Sequence, residues 1–277
     1  MLPLSRGGAE MGKIGEIVRD VSPESLARAN EDNLAEGLAA RAPMGATCAM
    51  GLHAAGWNRV PRAQLAPETV DERVAWVIAR ARALGVPFLW DIGPSMRPLD
   101  LGEHLLRHGF SDEGEEPAMG VALADLPEIL PLPDGVTIER VSDRAAQEQW
   151  VRASCEGFGM PPSAVEPEVA AMAHDSLGDD AAAHYYLARL HGEPVATSAL
   201  TPAAGVAGIF AVSTLEAARG RGIGTAVTMA PLLDARSRGY CVGVLQASEM
   251  GYSVYARMGF SEQFRYRSYR WRPEHGG

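Results

Sequence analysis

Hydrophobic and polar positions repeat most clearly from residue 135 onward. GVTIERV (135–141) alternates with the period of a strand. Ser142 and Asp143 are placed to cap DRAAQEQWVRASCEGF, whose Trp150, Val151, Ala153 and Ser154 fall near helical spacing. GMPPSAVEP breaks the chain, and PEVAAMAHDSL restarts a helix. HYYLARLHGEPVATSAL predicts two strands hinged at His191-Gly192, and VAGIFAVSTL a third. GIGTAVTMAPLLDARSRG predicts a helix despite Pro231, stopped by Gly239. CVGVLQAS predicts a buried strand, MGYSVYARMGF a short helix ending at Gly259, and SEQFRYRSYRW a closing strand with aromatic alternation. The predicted order is β-α-α-β-β-β-α-β-α-β.

The first half is less regular. SPESLARANEDNLAEGLAARA predicts a helix with a capping pattern at Ser22, Glu24 and Ser25. TCAMGLHAAGWNRVPRAQL predicts a strand pair, APETVDERVAWVIARARALG an amphipathic helix, PFLWDIG a strand, and DLGEHLLRHGF a short helix. ALADLPEILPLPDG (122–135) carries three prolines and a terminal Asp-Gly, the composition of a linker. We therefore expect one domain over 1–124, a linker over 125–134 and a second domain over 135–277. The halves also match each other. ARALG at 81–85 aligns with ARSRG at 235–239, and LLRHGF at 105–110 with YARMGF at 255–260. Such a repeat predicts duplication, two copies of one fold.

Composition narrows the function classes. The chain has 277 residues, 47% hydrophobic and 22% charged, the balance of a globular protein. Its formal charge of -10 repels nucleic acid and favours neutral or cationic partners such as amines. Cys48, Cys155 and Cys241 form no CxxC pair, which predicts free thiols in a reducing cytoplasm. Residues 1–13 hold no apolar run suited to a leader, and Met11 is a second possible start. Residues 194–215 carry no charge, but their prolines, glycines and small side chains predict two buried strands rather than a membrane span. No metal site is expected from the seven histidines.

The chemistry concentrates in VSTLEAARGRGIGTA (212–226), where a strand enters a turn with three alternate glycines and then a helix. Glycines there let the backbone turn tightly and approach a ligand. Free amides and the dipole at the helix start make an anion cradle, and Arg219 and Arg221 add cationic donors. The loop lacks the Lys of a P-loop. Its Gly-x-Gly-x-Gly spacing, late in its domain, departs from the dinucleotide fingerprint. Coenzyme A, with a pyrophosphate and a long amide arm, is the class that remains.

Arg219-Gly220-Arg221-Gly222-Ile223-Gly224 resembles the Arg/Gln-x-x-Gly-x-Gly/Ala signature of the GCN5-related N-acetyltransferases, the GNAT family. The likeness spans roughly 135–272. It includes a second motif, from Ser248 through Tyr255 to Gly259-Phe260, similar to the family's Asn-x-x-Ala-x-x-Leu-Tyr-x-x-x-Gly-Phe. Ser248 stands where Asn is usual, Gly251 where Ala is usual, and Glu216 where Pro is common.

The resemblance implies an α/β fold (an α+β mixed sheet) of two tandem GNAT-like domains, each a central, mostly antiparallel sheet flanked by helices. It implies acetyl-CoA as co-substrate, without a metal. The pyrophosphate would take the amides of Gly220, Arg221, Gly222, Ile223, Gly224 and Thr225. The pantetheine would pair with Val212, Ser213 and Thr214, and contact Ser248. Tyr255 matches the family's general acid to the leaving thiolate. Full proton transfer from a free phenol to a thiolate is uphill by ~2 kcal/mol, so Tyr255 needs a lowered pKa or acts by hydrogen bonding. The general base is not visible: Glu249, Glu216 and His184 are candidates by location only.

The first copy has Leu105 at the position of Tyr255 and no glycine loop, so it is expected not to bind coenzyme A, as in mycothiol synthase-like tandem members. Trp57, Trp90, Asp91 and Met96 either line an acceptor cleft between the copies or pack in the core. The expected activity is cytoplasmic acetyl transfer to a small-molecule amine in a ternary complex, by a monomer or homodimer, with no nucleic acid or membrane partner. Phe158, Met160 and the prolines after the first helix of the second copy favour a partly apolar acceptor over a phosphorylated one. The alternative is a non-catalytic acyl-CoA-binding or sensor protein.

Overall fold

In a computed structural model that describes residues 16–41, 58–130 and 132–273, the elements follow in chain order. They are α1 (Pro23–Arg41), β1 (Arg59–Val60), α2 (Val70–Leu84), β2 (Phe88–Ile92), α3 (Leu101–Arg107), β3 (Ser111–Ala122), β4 (Val136–Arg140), α4 (Arg144–Gly157) and α5 (Val165–Met172). Then come β5 (His184–Leu190), β6 (Glu193–Ala203), β7 (Val206–Thr214), α6 (Ile223–Ser237), β8 (Val242–Gln246), α7 (Glu249–Arg257) and β9 (Ser261–Trp271). From β4 onward this is the order the sequence predicts. Met11, Cys48, Trp57 and most of the strand pair expected over 47–65 lie outside the described residues.

Local chemistry explains the boundaries. Asp143 caps α4, its carboxylate accepting from the Ala146 amide at 2.8 Å. His191 and Gly192, both at positive φ, make the two-residue turn between β5 and β6. The uncharged run at 194–215 is a hairpin, β6 against β7, as expected. Pro231 survives inside α6 because Ser198 replaces its missing amide: the Ser198 hydroxyl donates to Val227 O at 2.6 Å.

The nine strands of the described residues belong to one sheet, in the order β1-β2-β9-β3-β8-β7-β6-β5-β4. Neighbours are antiparallel except β1 with β2 and β7 with β8. Two strands have crossed over. β3, from the first half, lies between β8 and β9, and β9 reaches past it to pair with β2. Sequence reading left β3 unassigned because SDEGEEP, with a Gly and a Pro, has no apolar alternation. Its acidic face is matched by β9: Arg267 pairs with Asp112 at 2.5 Å, and Arg270 with Glu113 at 2.9 Å.

Helices α1, α4 and α5 cover one face of the sheet, and α2, α3, α6 and α7 the other. Helix α1 is pinned by two buried asparagines. Asn30 donates to Met119 O on β3 and Leu245 O on β8, and Asn33 to Thr201 O and Ala203 O on β6.

Candidate active site

β7 and β8 pair only at Ala207, Gly208 and Ile209. Beyond that point they diverge, and the β7 edge facing β8 is open. A bulge sits where the gap begins. Ala211 has φ 50, and its carbonyl accepts from the Thr197 hydroxyl at 3.0 Å.

The glycine turn lies at the end of the same strand. Gly220 and Gly222 have φ 74 and 78, and Gly222 is the N-cap of α6 with no side chain capping the helix. Ala226 is the first helical amide bonded back, to Gly222 O at 3.0 Å. The amides from Gly220 to Thr225 have no backbone partner among the described residues, an open anion cradle at the positive end of a four-turn helix. The two arginines divide their roles. Arg219 braces the turn, its Nε donating to Thr214 O at 3.0 Å and its Nη2 to Gly157 O at 3.4 Å. Arg221 is exposed and makes no ion pair among the described residues, so its guanidinium is available to an anion.

A cavity of about 590 Å³ opens beside this gap. Val212, Ser248 and Tyr255 line it. The Ser213 side chain does not: its hydroxyl is bonded to Thr197 at 2.8 Å, the residue it also faces across the β6–β7 ladder. Ser248 also caps α7, accepting from the Gly251 amide at 3.2 Å.

Tyr255 is 7% exposed, with its ring 6.0 Å from that of Phe260. Burial pushes its phenol up to about 12, with a hydrogen bond to Thr228 drawing it partly back. A methyl group on Gly251 would stand 2.8 Å from Tyr255 Cε2, so the glycine at this position gives the ring its room. Helix α7 packs on the face of the sheet opposite α4 and α5, and the gap between β7 and β8 connects Tyr255 with the cavity.

The general-base candidates fare differently. Glu216 and Glu249 are exposed, and neither lines the cavity. His184 is held between two guanidinium groups, Arg140 Nη2 at 2.7 Å from Nδ1 and Arg238 Nη1 at 3.2 Å from Nε2. Burial, with these two cations, lowers it to about 4. It does not line the cavity either.

Two carboxylates that sequence reading passed over do, Glu116 and Glu168, and of these only Glu168 is buried. Glu168 on α5 is 6% exposed and lines the cavity, and desolvation raises it to about 7. The signal was a Glu on the same helical face as Val165 and Met172, both apolar, in a helix of only eight residues. Phe158 and Met160 also line the cavity, as the sequence suggested. Trp90 and Met96 belong to the core, and Asp91 is buried against Arg59 at 2.9 Å. Arg59 itself lines the cavity.

Reading the sequence also overlooked His104 and His108, one helical turn apart, which both contact Asp71 Oδ1, at 2.8 and 3.0 Å. No cluster suited to a metal ion is found among the described residues. No helix among them is long and apolar enough to cross a membrane.

Residues 147–260, from α4 to the end of α7, match the acetyltransferase (GNAT) family. Over those residues the chain is similar to the GNAT acetyltransferases. Solved structures share the fold. A GCN5-related N-acetyltransferase from Kribbella flavida is 21% identical with a TM-score of 0.56, over 76% of this chain and 78% of that one. One from Sphaerobacter thermophilus is 24% identical with a TM-score of 0.56, over 73% and 67%. A tandem GNAT protein from the clavulanic acid biosynthesis pathway is 13% identical with a TM-score of 0.50, over 74% and 70%. No curated protein matches the sequence.

Proposed function

We propose that this GNAT-like domain transfers an acetyl group from acetyl-CoA to the amine of a small-molecule acceptor, by direct attack in a ternary complex. The observation that carries the reading is the alignment of three features along one strand. The open amides of the α6 turn, the unpaired β7 edge and the cavity holding Tyr255 follow one another from Thr225 back to Val212. They suit, in turn, a pyrophosphate, an amide arm that adds to a strand edge, and a thioester.

Acetyl-CoA supplies an acetyl carbonyl already activated as a thioester. The chain's own groups bind and orient it. The amides from Gly220 to Thr225, with Arg221, hold the phosphates. The backbone of Val212, Ser213 and Thr214 offers the open edge, and Ser248 lines its far side. Tyr255 is protonated at neutral pH like any phenol, and burial makes its proton still harder to give up. Handing its proton completely to a thiolate of ordinary basicity would cost about 5 kcal/mol, so Tyr255 acts by donating a hydrogen bond to the departing sulfur.

The same reading covers the whole chain as a tandem protein in which the first copy has lost its ligand site. Three features support it. The segment β1-α2-β2-α3-β3 repeats β7-α6-β8-α7-β9 in order, and both begin with a short parallel pairing. The register of β3 with β9 is self-complementary: Ser111 lies opposite Arg270, and Gly120 opposite Ser261. The first copy enters its helix through Ala66 and Pro67 rather than through glycines.

Release of free thiol from acetyl-CoA in the presence of an amine panel tests the activity. Thiol release that depends on an amine is expected, and Tyr255→Phe should lower kcat ~100-fold with coenzyme A affinity little changed. Tight coenzyme A binding with no amine-dependent release would favour the sensor reading instead.

A further inference from the structure

Glu168 is a buried carboxylate in the cavity wall that acetyl-CoA binding leaves unexplained; the other carboxylate there, Glu116, is half exposed and lies 4.0 Å from Arg59. Its carboxylate has no hydrogen bond and no ion pair among the described residues, and desolvation is the only influence on its pKa. A buried, unpartnered carboxylate is costly, and a protein keeps one where a ligand completes it. Its surroundings offer no cation. Cys155 on α4 faces it as a buried thiol whose pKa burial and Glu168 both raise. Arg152 on α4 and Glu166 on α5 pair with each other on the exposed side at 2.9 Å.

The rest of the cavity wall sets the limits on what that ligand carries. Much of it is apolar, with Trp150, Phe158, Met172, Phe210, Leu34 and Leu38, and its uncharged polar side chains include Ser154, Gln246 and Ser248. Two arginines reach the cavity, and both are already committed. Arg59 is 2.9 Å from Asp91 and 4.0 Å from Glu116, and Arg270 is 2.9 Å from Glu113. Neither is free to receive a phosphate or carboxylate on the acceptor.

We propose that Glu168 anchors the acceptor's ammonium group and accepts its proton, and that the acceptor is a primary amine on an apolar body without anionic groups, an alkyl- or arylalkylamine. This deepens the acetyl-transfer reading and rests on it for the reaction step. The ammonium gives one proton to Glu168, which becomes the neutral acid, and the freed nitrogen lone pair attacks the acetyl carbonyl. The C–N bond forms and the C–S bond breaks. The second proton lost by nitrogen ends on the sulfur, beside the Tyr255 hydroxyl, so the products are an N-alkyl acetamide and the free thiol.

Calorimetry on the full chain, without acetyl-CoA and with phenethylamine and hexylamine as probes, tests the site independently of turnover. At about pH 6 Glu168 is mostly protonated, so binding an ammonium should release a proton, read from the heat in buffers of different ionisation enthalpy. At about pH 8 that release should disappear. Glu168→Gln should weaken binding at least ~30-fold and abolish the proton release, while thermal melting shows the variant folded. With acetyl-CoA, kcat/KM for phenethylamine should exceed that for lysine or glucosamine 6-phosphate by ~100-fold. Unchanged amine binding in Glu168→Gln, or preference for the zwitterionic or phosphorylated amine, would overturn the proposal. Glu168-dependent binding of phenethylamine by a protein that does not bind coenzyme A would uphold the amine site and sink the acetyl-transfer reading.

Discussion

Glu168 and His184 are both buried, and burial shifts them in opposite directions. The Glu168 carboxyl is raised from 4.5 to about 7, so the folded chain prefers it neutral while the unfolded chain ionises it. The penalty is absent below about pH 4.5, grows as pH rises, and is complete above about pH 7 at roughly 3 kcal/mol. His184 is lowered from 6.5 to about 4, so its penalty is absent above about pH 6.5 and grows as pH falls toward 4. Removing the carboxylate charge should therefore stabilise the fold only on the alkaline side. Urea unfolding of Glu168→Gln is expected to show a gain of ~2–3 kcal/mol at about pH 8 and almost none at about pH 4. An equal change at both pH values would mean that the side chain acts through packing, not charge. Only part of this was legible in the sequence. Tyr255 and the arginines announced themselves through motifs. Glu168 did not, because one carboxylate on a short helix reads as ordinary solvent-facing polarity until the helix face it occupies is known.

Among the elements, α6 shows how a turn dictates function. Gly222 combines φ 78 with the N-cap position, a backbone conformation that side chains with a Cβ rarely adopt. The turn was legible because alternate glycines between a strand and a helix have few structural uses. The strands of the second half were legible too, because their turns carry unambiguous signals such as His191-Gly192. β3 was not legible, since its pairing depends on the arginines of β9, distant in sequence and matched to it by charge rather than by apolar alternation. Gly222→Val should strain the cap and crowd the amides, raising the coenzyme A dissociation constant at least ~100-fold while the far-ultraviolet spectrum stays native. Calorimetry showing wild-type affinity in the folded variant would remove the turn from the binding site.

For the whole molecule, strand exchange makes the two halves inseparable in a way that the linker-like composition of 122–135 concealed. Among the described residues β9 pairs only with β2 and β3, both from the first half. Tyr269 and Trp271 of β9 are buried in the core built by α2, β2 and α3. Even the start of the linker is tied down: Arg236 Nη1 donates to Leu123 O at 3.1 Å and to Leu126 O at 2.8 Å. A fragment of residues 135–277 would leave β8 with an open edge and β9 with no partner, and would expose two aromatic side chains worth ~2–3 kcal/mol each when buried. We expect that fragment to aggregate when expressed alone, and to become soluble when residues 1–134 are co-expressed as a separate chain, with light scattering as the readout. The reunited pair and the intact chain should both bind one coenzyme A, because only the second half has the glycine turn. A monodisperse fragment with full activity would show that exchange of β3 and β9 is dispensable, and two coenzyme A molecules per chain would show that the first copy kept its site.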